Sequence, residues 1–119
     1  YRPFTLEGNF AFAQGLQEML LQSYQGYIEV FPAVPAAWKN VSFSTLRTEG
    51  AFLVSAVKEN GTVREVKIRS LSGGTLRMKM PFPTWYVLGT ERNNVTIENG
   101  IAEVKTVPGQ TLTFKNGYE

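Results

Sequence analysis

The amino-acid sequence predicts a mainly β fold, an antiparallel β-sandwich-like domain of about eight strands preceded by one N-terminal α-helix. Apolar residues recur at helical spacing before residue 26, and they alternate with polar residues in short runs after residue 41. Turn-forming residue pairs separate these runs. Short alternating strands at intervals of about 8–12 residues are typical of antiparallel sandwiches.

Residues 9–24 are predicted to form the helix, because apolar side chains recur at steps of three and four while polar ones fill the other side. Asn9 is a candidate N-cap, since its side-chain oxygen can accept a hydrogen bond from a free amide of the first turn. Gly26 is a candidate stop, since glycine readily adopts the left-handed conformation. The apolar positions are Phe12, Ala13, Leu16, Met19, Leu20 and Tyr24.

The period changes from helical to two after Gly26. "YIEVF" (27–31) is predicted to form a short strand, and "PAVPAAW" (32–38) an irregular strap, because its two prolines cannot stay in regular structure. Strands dominate from residue 41, and one face of each is expected to be buried. The predicted inward residues of four later strands are Val66 and Ile68; Leu76, Met78 and Met80; Val95 and Ile97; and Leu112 and Phe114.

Four residue pairs mark turns between the strands. Asn60-Gly61 and Asn99-Gly100 predict tight hairpins, since both residue types accept the positive φ that such turns require. Gly73-Gly74 and Pro108-Gly109 mark two further turns. Regular turns between alternating runs support an antiparallel arrangement.

Composition restricts the chemistry available to the 119 residues. The chain has no His, Cys or Asp, so triad catalysis, disulfides and the usual zinc sites are excluded, and neither a metal nor a cofactor is predicted. Any acid–base chemistry must rest on Glu, Lys or Tyr. Scattered basic residues argue against a nucleic-acid partner, and the apolar runs are too short to span a membrane.

The helix belongs to a different pattern from the strands that follow it. One interpretation is an α+β domain with the helix packed on a sheet; the other is a helix that ends an upstream helical domain. The first turn is apolar on nearly all sides, which favours the second interpretation. We therefore predict a boundary at residue 26, with residues 1–26 as the terminal helix of an upstream helical domain and 27–119 as a C-terminal antiparallel β domain.

Several blocks in a fixed order resemble the C-terminal portion of glycoside hydrolase family 95, the α-L-fucosidases and related α-L-galactosidases. The family's Asp-Gly-Asn-Phe-Gly stretch corresponds to residues 7–11, its Glu-Met-Leu-Leu-Gln-Ser helix to 18–23, and its proline-rich strap to 31–35 with Trp38. "LRTEGAFLVSAVKENGTVREVKIRSLSGG" is similar to a family strand pair and its Gly-Gly turn. The resemblance extends from residue 3 to about residue 80.

The resemblance implies a protein with an N-terminal β domain, an (α/α)6 catalytic barrel and a C-terminal β domain, which hydrolyses glycosides with inversion. In that family an Asp in the Asp-Gly-Asn-Phe-Gly stretch activates the attacking water, which assigns this catalytic role to Glu7. Asn9 becomes a candidate substrate-binding residue as well as a candidate N-cap. Glu7 replaces the family's Asp and Ala11 its second Gly, and the general-acid Glu has no match here.

Three hypotheses follow. The chain is the C-terminal portion of a bacterial glycoside hydrolase, inactive alone, whose parent is periplasmic or extracellular and binds carbohydrate through the catalytic barrel. Alternatively, it is an independent carbohydrate-binding module whose candidate stacking residues are Tyr27, Trp38, Trp85 and Tyr86. In the third hypothesis it is a structural domain that self-associates through the helix at 9–24.

Overall fold

A computed structural model describes residues 4–7, 14–23 and 26–117, with side chains described for 17–23 and 26–117. This part of the chain contains one α-helix, eleven strands and a short 3-10 turn at Arg92–Asn94. The helix α1 spans Gln14–Leu20. The strands are β1 Phe4–Glu7, β2 Leu21–Gln22, β3 Glu29–Val30, β4 Val41–Thr48, β5 Phe52–Glu59, β6 Thr62–Ser70, β7 Gly74–Lys79, β8 Trp85–Leu88, β9 Thr96–Glu98, β10 Ile101–Thr106 and β11 Thr111–Asn116.

The strands form three sheets. A six-stranded sheet has the order β1-β4-β5-β6-β11-β8, a three-stranded sheet the order β7-β10-β9, and a small ribbon pairs β2 with β3. Within the described residues every pairing of these strands is antiparallel except β1 with β4, which is parallel. The predicted mainly β, antiparallel fold with one N-terminal helix is confirmed, and the described helix is shorter than predicted.

One hydrophobic core joins the two larger sheets. Val54, Ile68 and Phe114 of the six-stranded sheet belong to the same buried cluster as Met78 and Val104 of the three-stranded sheet. Strands such as β7, β10 and β11 therefore bury alternate residues, as the period of two predicts. The predicted inward residues found buried are Val66, Ile68, Leu76, Met78, Val95, Leu112 and Phe114.

Ile97 departs from the predicted alternation. It lies in β9 and is 43% exposed, although its neighbour Val95 is buried. The strand is only three residues long and is the outermost of its sheet. An edge strand this short has little sheet or core to cover its apolar side chain.

The helix ends earlier than the apolar spacing predicts. Leu21 and Gln22, predicted as helix, form β2 and pair with Val30 and Glu29. The Phe31 amide donates to the Leu20 carbonyl at 2.7 Å, so the returning chain satisfies a helix-end acceptor. Pairing and burial of Leu21 therefore override the local helical pattern. The predicted helix start and the N-cap Asn9 lie outside the described residues.

The two Asn-Gly hairpins adopt the predicted conformation. Asn60 and Gly61 have φ of 51° and 78°, and Asn99 and Gly100 have φ of 54° and 79°. Two successive residues at positive φ are the signature of a type I′ turn, whose twist matches the flanking strands. The β5–β6 and β9–β10 hairpins therefore follow directly from local sequence.

Two buried hydroxyl groups connect the sheets at one end of the core. Thr106 Oγ1 donates to the Gly74 carbonyl at 2.7 Å and lies 2.9 Å from Ser70 Oγ. Ser70 Oγ also accepts from the Gly73 amide at 2.9 Å. Because Ser70 ends β6 and Thr106 ends β10, this network fixes the six-stranded sheet to the three-stranded sheet.

Candidate functional site

Glu7 is the last residue of the outermost strand of the six-stranded sheet. The β1 backbone pairs in parallel with β4, from Phe4 beside Val41 to Glu7 beside Ser44. The Glu7 side chain and all of Asn9 lie outside the described residues. The catalytic assignment of Glu7 and the substrate-binding assignment of Asn9 therefore stay predictions.

A β-bulge lies in β4 directly beside Glu7. The β4–β5 register shifts between Phe43 and Leu46, and Thr45 within the bulge has a φ of 58°. The Thr45 amide donates to Ser55 Oγ at 3.0 Å. A β-branched residue at positive φ costs about 1–3 kcal/mol and is retained only where its surroundings impose it. Bulges are frequent next to active sites, and this one lies beside the last residue of β1, Glu7.

The two tryptophans pack on the protein itself. Trp38 and Trp85 are both half-buried against the hydrophobic core. The Trp85 ring lies 5.8 Å from the Phe114 ring, and Arg92 Cζ lies 3.8 Å from the Trp85 ring centroid. In this cation–π contact Arg92 lies over the Trp85 ring, where a sugar would have to stack. Of the other candidate stacking residues, Tyr86 is 45% exposed on β8 and Tyr27 is half-buried.

The outer side of the three-stranded sheet carries a polar depression, which we call the β7–β10 groove. Its central part has a volume of about 350 Å³, near the lower end of the range of about 300–1,000 Å³ usual for ligand pockets. Strands β7, β9 and β10 and the chain before β3 supply its walls. Its polar and aromatic side chains are Tyr27, Arg77, Thr96, Glu98, Asn99 and Glu103.

An ion pair lies at the centre of the groove. Arg77 and Glu103 are direct neighbours on β7 and β10, and Arg77 Nε donates to Glu103 Oε2 at 2.8 Å. Both side chains are about half exposed, at 57% and 44%. Such a pair adds little to stability in water, about 0–1 kcal/mol, but each group orients the other. The groove can thus offer hydrogen-bond donors and acceptors in fixed positions.

The groove residues are distant from one another in the sequence. Arg77 and Glu103 are 26 residues apart in the chain. Their contact depends on the β7–β10 pairing, which is not a hairpin, so no local signal identifies it. For Tyr27 the sequence predicts only that it is one of several aromatic residues able to stack on a sugar.

Within the described part of the chain, no group of three or more His, Cys, Asp or Glu side chains is arranged to hold a metal ion. Among the same residues, no helix combines the length and apolar character that a membrane-spanning helix needs.

The fold defines the chain as an antiparallel β-sandwich domain with a short helix at its N-terminal side. A family model described as "Glycoside hydrolase family 95, C-terminal domain" matches residues 22–114. The chain therefore belongs to glycoside hydrolase family 95, and the resemblance seen in the sequence motifs is confirmed.

A curated plant protein shows similarity over part of the chain. "Alpha-L-fucosidase 2" of Arabidopsis thaliana is 38% identical over 64 residues, which is 53% of this chain and 8% of the relative. The aligned stretch thus corresponds to a small fraction of that protein's length.

Proposed function

We propose that this chain is the C-terminal part of an inverting glycoside hydrolase that acts on α-L-fucosides or related glycosides. The observation that carries the proposal is the match of residues 22–114 to a family model for the C-terminal domain of glycoside hydrolase family 95. The similarity to a protein named as an α-L-fucosidase supports the choice of sugar. In this proposal the sandwich supports a helical catalytic domain.

The division of the chain at residue 26 stays a proposal, and residues before it, in β1 and α1, already pack on the β domain. The family match begins at residue 22, close to that boundary. Leu20 and Leu21 are buried in the sandwich core, so the end of the helix is anchored to the β domain. A helix anchored in this way can hold the two proposed domains in a fixed relative position.

Glu7 is the proposed water-activating group of the intact parent, with Asn9 as a neighbour that contacts substrate. An inverting hydrolase needs a general acid and a general base whose carboxyl groups lie about 6.5–9.5 Å apart, which leaves room for the water. Glu7 would supply the base, and the acid would come from the catalytic domain. The bulge beside Glu7, which shifts the β4–β5 register between Phe43 and Leu46, supports this role because bulges are frequent next to active sites.

The other predictions about the parent remain open to experiment. A bacterial origin, a periplasmic or extracellular location, and contact with carbohydrate through the catalytic barrel stay predictions. The alternative proposal is a structural domain that self-associates through the predicted helix at 9–24. Trp38 and Trp85 pack against the core. These two residues therefore do not support the hypothesis of an independent carbohydrate-binding module.

Hydrolysis assays with p-nitrophenyl α-L-fucoside and α-L-galactoside test the proposal. The intact parent is expected to release p-nitrophenol from at least one substrate. The isolated 119-residue chain is expected to give no release above the buffer blank, because the proposed acid is not within it. Substrate-dependent release by the purified isolated chain, or none by the folded parent, would contradict the proposal.

A further inference from the structure

The β7–β10 groove continues at both ends into further depressions. A second depression of about 220 Å³ shares Tyr27 and Arg77 with the central part, and reaches Ser23 and Glu49. A third of about 380 Å³ shares Thr96 and Glu103 with the central part, and reaches Lys105. The three depressions thus lie side by side on the outer side of the three-stranded sheet. Adjoining depressions suit a ligand made of several linked units better than a single small molecule.

The backbone holds the walls of this groove in place. Ile28, next to Tyr27, pairs with the free edge of β7: its amide donates to the Arg77 carbonyl, and its carbonyl accepts from the Lys79 amide, both at 2.8 Å. Tyr27 is thereby fixed beside Arg77, and Arg77 is oriented by Glu103. A pre-organised site loses less side-chain entropy when a ligand binds.

The charges in the groove alternate in sign. Arg77 and Lys105 are basic, whereas Glu49, Glu98 and Glu103 are acidic. A phosphate or a polyanion needs a patch of one sign, which this arrangement does not provide. A hydroxyl group both donates and accepts, so it can bond to carboxylates on one side and to a guanidinium or an amide on the other. The lining therefore fits a neutral ligand with many hydroxyl groups.

We propose that the β7–β10 groove binds a neutral oligosaccharide, with Tyr27 contacting a sugar ring and the Arg77–Glu103 pair bonding its hydroxyl groups. The β domain would then hold a glycan at a place separate from the proposed water-activating residue, since Glu7 belongs to the six-stranded sheet. The groove is formed by residues between 23 and 105, so binding does not depend on hydrolysis.

NMR titration of the isolated chain tests this proposal without any requirement for activity. The neutral probes are 2′-fucosyllactose, a xyloglucan-derived oligosaccharide and cellotetraose; a heparin-derived tetrasaccharide is the anionic probe. At least one neutral probe is expected to shift the amide signals of Tyr27, Arg77 and Glu103 in a saturable way. The proposal fails if no neutral probe shifts these signals, or if the heparin tetrasaccharide binds the groove more tightly.

Matched variants locate the binding. Tyr27→Ala and Arg77→Met are each expected to weaken binding about tenfold, which corresponds to about 1.4 kcal/mol. Leu88→Ala and Arg69→Met remove an apolar and a guanidinium side chain from exposed positions on the six-stranded sheet and should leave the Kd unchanged. Circular dichroism verifies that all four variants are folded. Equal weakening by a groove variant and its control, or unchanged binding in both groove variants, would overturn the assignment.

Discussion

Glu7→Gln in the intact parent is expected to lower kcat by about 10²–10⁴-fold with little change in KM, because the amide cannot accept a proton from the attacking water. The side chain keeps almost the same size and shape, so the loss reports on proton transfer and not on packing. Steady-state kinetics with an aryl α-L-fucoside measure the change. Glu91→Gln, the same substitution at an exposed position of the β domain, serves as the control and should leave kcat unaltered.

Glu7→Asp tests whether a carboxylate at this residue is sufficient or whether its position also matters. This variant restores the residue that the family has at this place and keeps a proton acceptor, but it shortens the side chain by one methylene. A displacement of about 1 Å can change a rate by about a hundredfold. Glu7→Asp should nevertheless remain at least about tenfold more active than Glu7→Gln, since only it can accept a proton. Activity of Glu7→Gln equal to that of the unaltered parent would exclude Glu7 as the base.

Gly89→Ala is expected to lower the free energy of unfolding of the β domain by at least about 3 kcal/mol. Gly89 follows β8 at a φ of 94°, and a Cβ built there would overlap the backbone oxygen of Thr111 in β11. Backbone cannot move aside as a flexible side chain can, so β8 and β11 would have to separate. Urea unfolding followed by tryptophan fluorescence and circular dichroism measures the loss.

Gly74→Ala is a matched control for this prediction. Gly74 has nearly the same backbone conformation, with a φ of 96°, but a Cβ there would meet no atom within 4 Å. Gly74→Ala is therefore expected to lose only the stability that a side chain costs at positive φ, about 1–2 kcal/mol. The difference between the two variants isolates the collision with Thr111. If Gly89→Ala is no less stable than Gly74→Ala, β8 does not pack on β11 as described.

The features that could be predicted from the sequence are those set by neighbouring residues. Alternation in β6, β7 and β11 identifies their buried faces, because a strand has a fixed period of two. The Asn-Gly pairs identify two hairpins, because few other residues accept two successive positive φ angles. Local chemistry was sufficient for these elements, and the mainly β fold class follows from them.

The features that could not be predicted depend on partners distant in sequence. Leu21 and Gln22 fall within the predicted helix but form a strand, because β2 pairs with β3. The short strand β8 exists because β11 pairs with it on one edge while β6 occupies the other. The Arg77–Glu103 contact likewise requires the β7–β10 register. Such pairings are chosen by the whole core, not by local propensity.

The role of Glu7 rests on a sequence motif, whereas the fold follows from residue patterns along the whole chain. Glu7 was assigned from a motif shared with the family, and the structure adds that its backbone ends β1 beside the bulge at Thr45. The motif identifies the residue but not its distance from the proposed acid, because that distance depends on how two domains pack. Kinetics on the intact parent can decide its role.

Proton NMR of the sugar first released by the intact parent from an α-L-fucoside tests the proposed function most directly. An inverting hydrolase, in which water activated by Glu7 attacks the sugar opposite the leaving group, releases β-L-fucose before mutarotation, and Glu7→Gln greatly slows its appearance. Release of α-L-fucose as the first product would show a retaining reaction. That result, or β-L-fucose formed at the same rate by Glu7→Gln, would contradict the role proposed for Glu7.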